Sequence, residues 1–150
     1  MREIKETELT PEVLDILISF SEDWEKENSC HGYRKNGKED IEGNRIFLSF
    51  ENGEVTGYLF GHSAVAKEKT SVMPENAAYF EVEELYVRPE YRDMGIGMAL
   101  FEYAQSAVSE EAGYIMLSTA VKDWKAILHL YIEELGMSFW NARLFKKIDK

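Results

Sequence analysis

The chain has 150 residues with a formal net charge of −11 and a single cysteine, a size that fits one domain able to bury roughly two-thirds of its unfolded surface. Cys30 alone excludes an internal disulfide framework, and so acidic a balance argues against nucleic acid as a partner, because a backbone binder needs a positive face. The charged start MREIKETE lacks the apolar run of a secretory leader and the cluster VLDILISF is too short and interrupted to span a bilayer, so a cytoplasmic protein with no membrane partner is expected.

In chain order, REIKETE is a first strand, and Thr10 followed by Pro11 is an N-cap and first-turn pair opening a helix over residues 11 to about 26. Residues 28–44 are polar with three glycines and read as a loop, with one short helix around residues 38–41. Asn52-Gly53 between two strand-like runs is a hairpin signal. A loop over residues 67–76 leads to the strand FEVEELYV, which Pro89 ends by removing a ladder donor. From Gly95 a helix follows, with Ile96, Leu100, Ala104 and Ala107 at helical spacing. Residues 114–119 read as a strand, 124–135 as a helix stopped by Gly136, and 139–148 as one or two closing strands. The pattern makes one α/β domain over residues 1–150, with a mixed, mostly antiparallel central sheet of about six or seven strands covered by helices on both faces.

The stretch FEVEELYVRPEYRDMGIG places a buried strand, a tight turn and a glycine-opened helix in succession. Orphan amides and the positive dipole end of such a helix attract an anion, and glycine lets a phosphate oxygen approach the backbone. A dinucleotide fingerprint needs a third glycine where Leu100 stands, and a P-loop needs Gly-Lys-Ser/Thr, which is absent. Three carboxylates, Glu81, Glu83 and Glu84, interrupt the strand. Alternation puts Glu81 and Glu83 on one face, about 7 Å apart, and Glu84 on the other. Burial and a like-charged neighbour would raise the pKa of such a group toward that of a useful base. A bend at a bulge would instead leave them solvated.

Arg92-x-x-Gly95-x-Gly97, set after LYV and PEY and followed by LYIEELGM, resembles the acyl-coenzyme A pyrophosphate loop of the GNAT acyltransferase superfamily. The resemblance is concentrated in residues 80–137, and the strand-loop motif looks most like that of polyamine and related small-amine acetyltransferases. It implies acetyl-coenzyme A as cosubstrate, no metal, and transfer to the primary amine of a small molecule by direct attack in a ternary complex. The acidic surface suits a cationic acceptor. The other readings are a non-catalytic acyl-coenzyme A sensor and an acetyltransferase acting on protein N termini or lysines. The resemblance also allows a homodimer through the last strands.

Carried over residue by residue, the resemblance makes Glu83 the base, with Glu81 second, and Glu84 a substrate contact. Tyr131 becomes the acid that protonates the leaving thiolate. The Leu85 amide would polarise the thioester carbonyl, and Val87 would pair with the pantetheine arm. The pyrophosphate would rest on the amides of Arg92, Asp93, Met94, Gly95, Ile96, Gly97 and Met98, with the Arg92 side chain adding charge if it turns inward. Trp124 stands where the family has an asparagine on the pantetheine arm, so its indole N–H would replace that contact. Tyr33, Trp24 and Trp140 are candidates for the acceptor pocket, although core packing serves both tryptophans equally well. His31 beside Cys30 lacks metal-ligand spacing and belongs to a loop. The acceptor itself is unread, since residues 28–44 and 67–76 carry no motif.

Overall fold

Five strands form one sheet in sequence order: β1 (Arg2–Thr7), β2 (Arg45–Glu51), β3 (Glu54–Val65), β4 (Ala78–Val87) and β5 (Tyr114–Met116). The first four are antiparallel and β5 lies parallel to β4. This computed structural model describes residues 1–149. In β2 and β3 successive apolar residues point to opposite faces, and both faces are covered. Ile46, Leu48, Tyr58 and Phe60 pack under α1 (Pro11–Glu27) and α2 (Lys38–Ile41), through Leu17 and Ile41. Phe47, Leu59, Phe80 and Val82 pack under α3 (Ile96–Val108), through Leu100, Phe101 and Ala104. Burial on both faces is why these strands read as near-continuous hydrophobic runs.

Local signals set the ends of the elements. The Thr10 side chain accepts a hydrogen bond from the Val13 amide, and Pro11 stands in the first turn. Asn52 and Gly53 both take positive φ, 52° and 86°, as the β2–β3 hairpin requires. After α3 and β5 comes α4 (Trp124–Leu128), which runs on as a π-helix over His129–Glu134 and is stopped at Gly136, whose φ is 75°. No helix among the described residues is long and apolar enough to cross a membrane.

Two expectations about the sheet need correction. The strand expected over residues 114–119 is only Tyr114–Met116, because the chain then leaves β4 and bridges to the loop after α1, with Val121 opposite Cys30. Residues 139–148 form no strand, so the sheet has five strands rather than six or seven. Their apolar residues come as neighbours, Phe139 with Trp140 and Leu144 with Phe145. A period of two sends neighbours to opposite faces, so the segment presents no single face to bury. Leu144 is 95% and Phe145 82% exposed.

One irregularity in β4 positions everything that follows. Phe60 pairs with Glu84 and Gly61 with Val82, leaving Glu83 as an extra residue in a β-bulge. The slip reverses the alternation. Leu85 and Val87 join Phe80 and Val82 against α3, while Tyr86 packs on the α1 side and Glu84 bonds Tyr58 there. Glu84 therefore shares a side with Glu81, contrary to the opposite face expected from unbroken alternation, while Glu83 stays near Glu81 through their common neighbour His62. Gly61 permits this crossing of backbones: a Cβ there would collide with the Glu81 carbonyl and stand 2.9 Å from the Phe80 ring. Gly61→Ala should therefore destabilise the fold by about 3 kcal/mol, the upper range for overpacking, measured as a lower midpoint in urea unfolding.

Candidate active site

The loop between β4 and α3 folds as its glycines suggest. After a 3₁₀ turn over Pro89–Tyr91, Asp93 and Gly95 take positive φ, 63° and 80°, and Gly95 caps α3. The first helical bond is made by the Ala99 amide to the Gly95 carbonyl, so the amides of Ile96, Gly97 and Met98 precede it. A Cβ at Gly97 would meet nothing nearer than a Val87 methyl at 3.9 Å, so the backbone there is open to approach.

The Arg92 side chain does not supply this loop with free charge. Its Nε donates to the Val87 carbonyl at 2.8 Å, its Nη2 is 2.9 Å from Glu27, and the guanidinium lies over the Tyr86 ring. Arg92 is thus bound to the protein it braces, taking one of the two acceptor positions of the Val87 carbonyl. A different cation is present. Arg2, in β1, donates from Nη2 to the Met94 carbonyl at 2.6 Å and lies beside Gly95. Nothing in the sequence pointed to Arg2, because only the sheet brings together residues 92 apart.

Beyond the bulge the sheet opens. β5 pairs only with Tyr79, Phe80 and Glu81, so the edge of β4 from Val82 onward has no strand beside it among the described residues. A cavity of about 270 Å³ fills the gap. One wall is β4 from Val82 to Leu85, another is residues 117–121, and Cys30 to Tyr33 close a third side with Trp24.

Tyr131 reaches this cavity from the π-helix, where the Leu135 amide bonds back to the Leu130 carbonyl five residues earlier. π-Turns of this kind often re-aim a functional side chain. The ring is 8% exposed and packs beside Phe101. Its hydroxyl has no hydrogen-bond partner among the described residues and opens onto the cavity. Burial, with a smaller contribution from Cys30, pushes the phenol up to about 12, so it is protonated at neutral pH.

The three glutamates have different surroundings. Glu84 lines the cavity, and its Oε1 accepts from the Tyr58 hydroxyl at 2.7 Å, Asn36 Nδ2 at 2.9 Å and the Tyr33 hydroxyl at 3.2 Å. Behind Tyr33 the chain of bonds continues through Ser21, whose Oγ also accepts from the Asn36 amide. Among the described residues no side chain bonds Oε2. Burial raises the Glu84 carboxyl above the ordinary range, and the three donors oppose this without cancelling it. Glu83, the bulge residue, lines the cavity with its side chain 44% exposed and lies 3.4 Å from His62 Nδ1. Glu81 is raised by burial and then by Glu83, with His62 opposing, but it does not line the cavity.

Of the aromatic candidates, Trp24 and Tyr33 stack at 4.3 Å and face the cavity together. Trp24 also stacks on Tyr86 at 5.1 Å. Trp140 and Trp124 do not line it. Trp140 lies in the segment after the last helix, and Trp124 is 58% exposed at the start of α4, beside Lys125. His31 lies in the wall with Cys30, and no cluster of His, Cys, Asp and Glu among the described residues could hold a metal.

The profile of the acetyltransferase (GNAT) family matches residues 12–137, and the chain belongs to that family and is an acyltransferase. Solved structures share its fold. An aminoglycoside acetyltransferase, meta-AAC0020, from an uncultured soil metagenomic sample in complex with trehalose aligns with TM-score 0.65 and 13% identity, over 99% of this chain and 97% of that one. The aminoglycoside N-acetyltransferase AAC(6')-Iy in complex with CoA aligns at 0.66 and 12%, over 99% and 100%. A predicted acetyltransferase with acetyl-CoA from Clostridium acetobutylicum aligns at 0.68 and 12%, over 98% and 96%. The comparison with curated proteins finds no significant match.

The Glu84 environment has a measurable signature. Its folded pKa is raised, so the fold holds a proton that the unfolded chain has already released. Stability contributed by the protonated carboxyl is full below the ordinary carboxylate pKa and declines as pH rises through the folded value. Glu84→Gln keeps the acceptor oxygen and removes the buried charge. Its Tm should exceed that of the unaltered protein by about 2–4 °C near neutral pH, with the difference closing toward about pH 4. Thermal melts across that range measure it.

Proposed function

We propose that this enzyme transfers the acetyl group of acetyl-coenzyme A to the primary amine of a small cationic molecule, by direct attack within a ternary complex. The observation that carries the reading is the single cavity beyond the bulge. It gathers Glu83, Glu84, Leu85 and Tyr131, and the open glycine loop follows directly from the same strand. The coenzyme pyrophosphate rests on the amides from Asp93 to Met98, with Arg2 rather than Arg92 as the cation nearest the loop. The pantetheine arm enters the gap left where β5 departs from β4, and the Leu85 amide faces the thioester oxygen.

In this reading Glu84 receives the acceptor. Three donors hold its Oε1, so Oε2 is presented in a fixed direction without further ordering cost. The stacked rings of Trp24 and Tyr33 add an aromatic wall that favours a cation. Glu83, half in solvent, takes a proton from the ammonium and passes it outward. The free amine attacks the thioester carbonyl, and the neutral Tyr131 phenol protonates the departing sulfur. That structurally similar proteins are described as acting on aminoglycosides lends support to a cationic amine.

Acetyl-coenzyme A should raise the Tm of the unaltered protein, and Gly97→Glu should abolish that rise by placing an anion where the pyrophosphate lies. Calorimetry showing no coenzyme A binding to the unaltered protein would remove the whole reading. With an acceptor found by an amine screen, Glu83→Gln should lower kcat/KM by about 100-fold and Tyr131→Phe should lower kcat with binding retained. Glu81→Gln should cost less than Glu83→Gln. The opposite order would transfer the base to Glu81.

A further inference from the structure

We propose that Cys30 is a second acyl acceptor: with acetyl-coenzyme A bound and no amine present, its thiol takes the acetyl group as a thioester. The inference rests on the acetyl-coenzyme A reading above. Amine transfer itself assigns Cys30 no task, yet the fold holds it in the same cavity. It follows α1 in a stretch that would otherwise be a free loop, but an antiparallel bridge between Cys30 and Val121 fastens it. The bridge is made of two hydrogen bonds, from the His31 amide to the Ala120 carbonyl at 2.9 Å and from the Lys122 amide to the Ser29 carbonyl at 2.8 Å. Residues 29–31 thus form a short strand-like wall that presents the thiol, still partly exposed, to the cavity. The neighbouring His31 ring meets the edge of Phe145 at 5.5 Å.

A second, independent feature lies across the same cavity. The Tyr131 residue is 8% exposed and lines the space that Cys30 borders. Its hydroxyl makes no hydrogen bond within the described residues and is not sealed off, so it is free to donate to a group that enters the cavity. A sulfur anion leaving a thioester is such a group. The two residues are near enough for the thiol to influence the phenol electrostatically.

The step balances without an added reagent. Cys30 Sγ attacks the acetyl carbonyl, a new C–S bond forms, and the C–S bond to the coenzyme breaks. The proton lost by Cys30 ends on the coenzyme thiol, relayed by the Tyr131 hydroxyl. One thioester replaces another, so neither oxidant nor energy source is needed, and excess coenzyme A runs the step backward. The acetylated thiol would occupy the acceptor side of the cavity and hold off amines until it is cleared.

The test is to incubate the whole protein with acetyl-coenzyme A at mildly alkaline pH without amine, then to measure intact mass and map the modified peptide. One hydroxylamine-labile acetyl group on Cys30 is expected, forming at least about 100-fold faster than on the same chain unfolded in urea, because the cavity holds both reactants in place. It should disappear on adding excess coenzyme A and be missing in Cys30→Ser. Tyr131→Phe should slow the labelling at least tenfold, roughly the low end of acid–base contributions, with coenzyme binding retained by calorimetry. Protein that acetylates amines while Cys30 stays unlabelled, or is labelled no faster than the unfolded chain, overturns this inference and leaves the acetyltransferase reading standing. Failure to bind coenzyme A overturns both.

Discussion

The extra residue in β4 is the constraint on which the rest of the site depends. Without the slip at Glu83, strict alternation would turn Glu84 toward α3 and the apolar core formed by Leu100 and Phe101, where a carboxylate would find no donors. With it, Leu85 and Val87 fill that core and Glu84 turns to the α1 side, where three donors meet it. The same strand then leaves β5 behind, and the cavity occupies the space between them. Gly61 opposite the bulge makes the slip affordable, since any side chain there would strike the backbone of β4.

The Glu84 cluster shows a fold holding a group at a cost. Its carboxyl is raised because burial outweighs three hydrogen bonds, so the charged form is less favourable here than in water. A purely structural role would be served as well by an amide. Under the proposed function the retained acid meets the positive charge of the acceptor, and the chain of bonds from the Asn36 amide through Ser21 and Tyr33 keeps it in one orientation. Tyr131 is the neutral counterpart, its phenol moved still further from ionisation by burial.

The glycine loop illustrates how charge is distributed once the chain is folded. Arg92, the residue whose position in the motif suggested an anion contact, instead ties the end of β4 to α1 through Val87 and Glu27. That brace fixes where α3 begins, and hence where its free amides point. The cation beside the loop comes from the first strand instead. Arg2 reaches the Met94 carbonyl from the opposite end of the sequence.

Much of this protein was legible in its order of residues. Punctuation by Pro11, Asn52-Gly53, Pro89, Gly95 and Gly136 located the elements, because each restricts or frees the backbone within a few positions of itself. The glycine-opened turn after FEVEELYV was legible for the same local reason, whereas Tyr131 was singled out by the resemblance of LYIEELGM to the family's stretch. What required the tertiary structure was everything decided between distant segments: the bulge that regroups the glutamates, Arg2 at the loop, Arg92 turned onto Glu27, and Cys30 pinned against Val121. Residues 139–148 mark the same boundary, since their aromatic and aliphatic residues carry strand propensity but a strand exists only where an edge and a face await it. Local conformation is set by sterics that each residue carries with it, whereas register, pairing and the meeting of charges depend on which surfaces the completed core brings within reach.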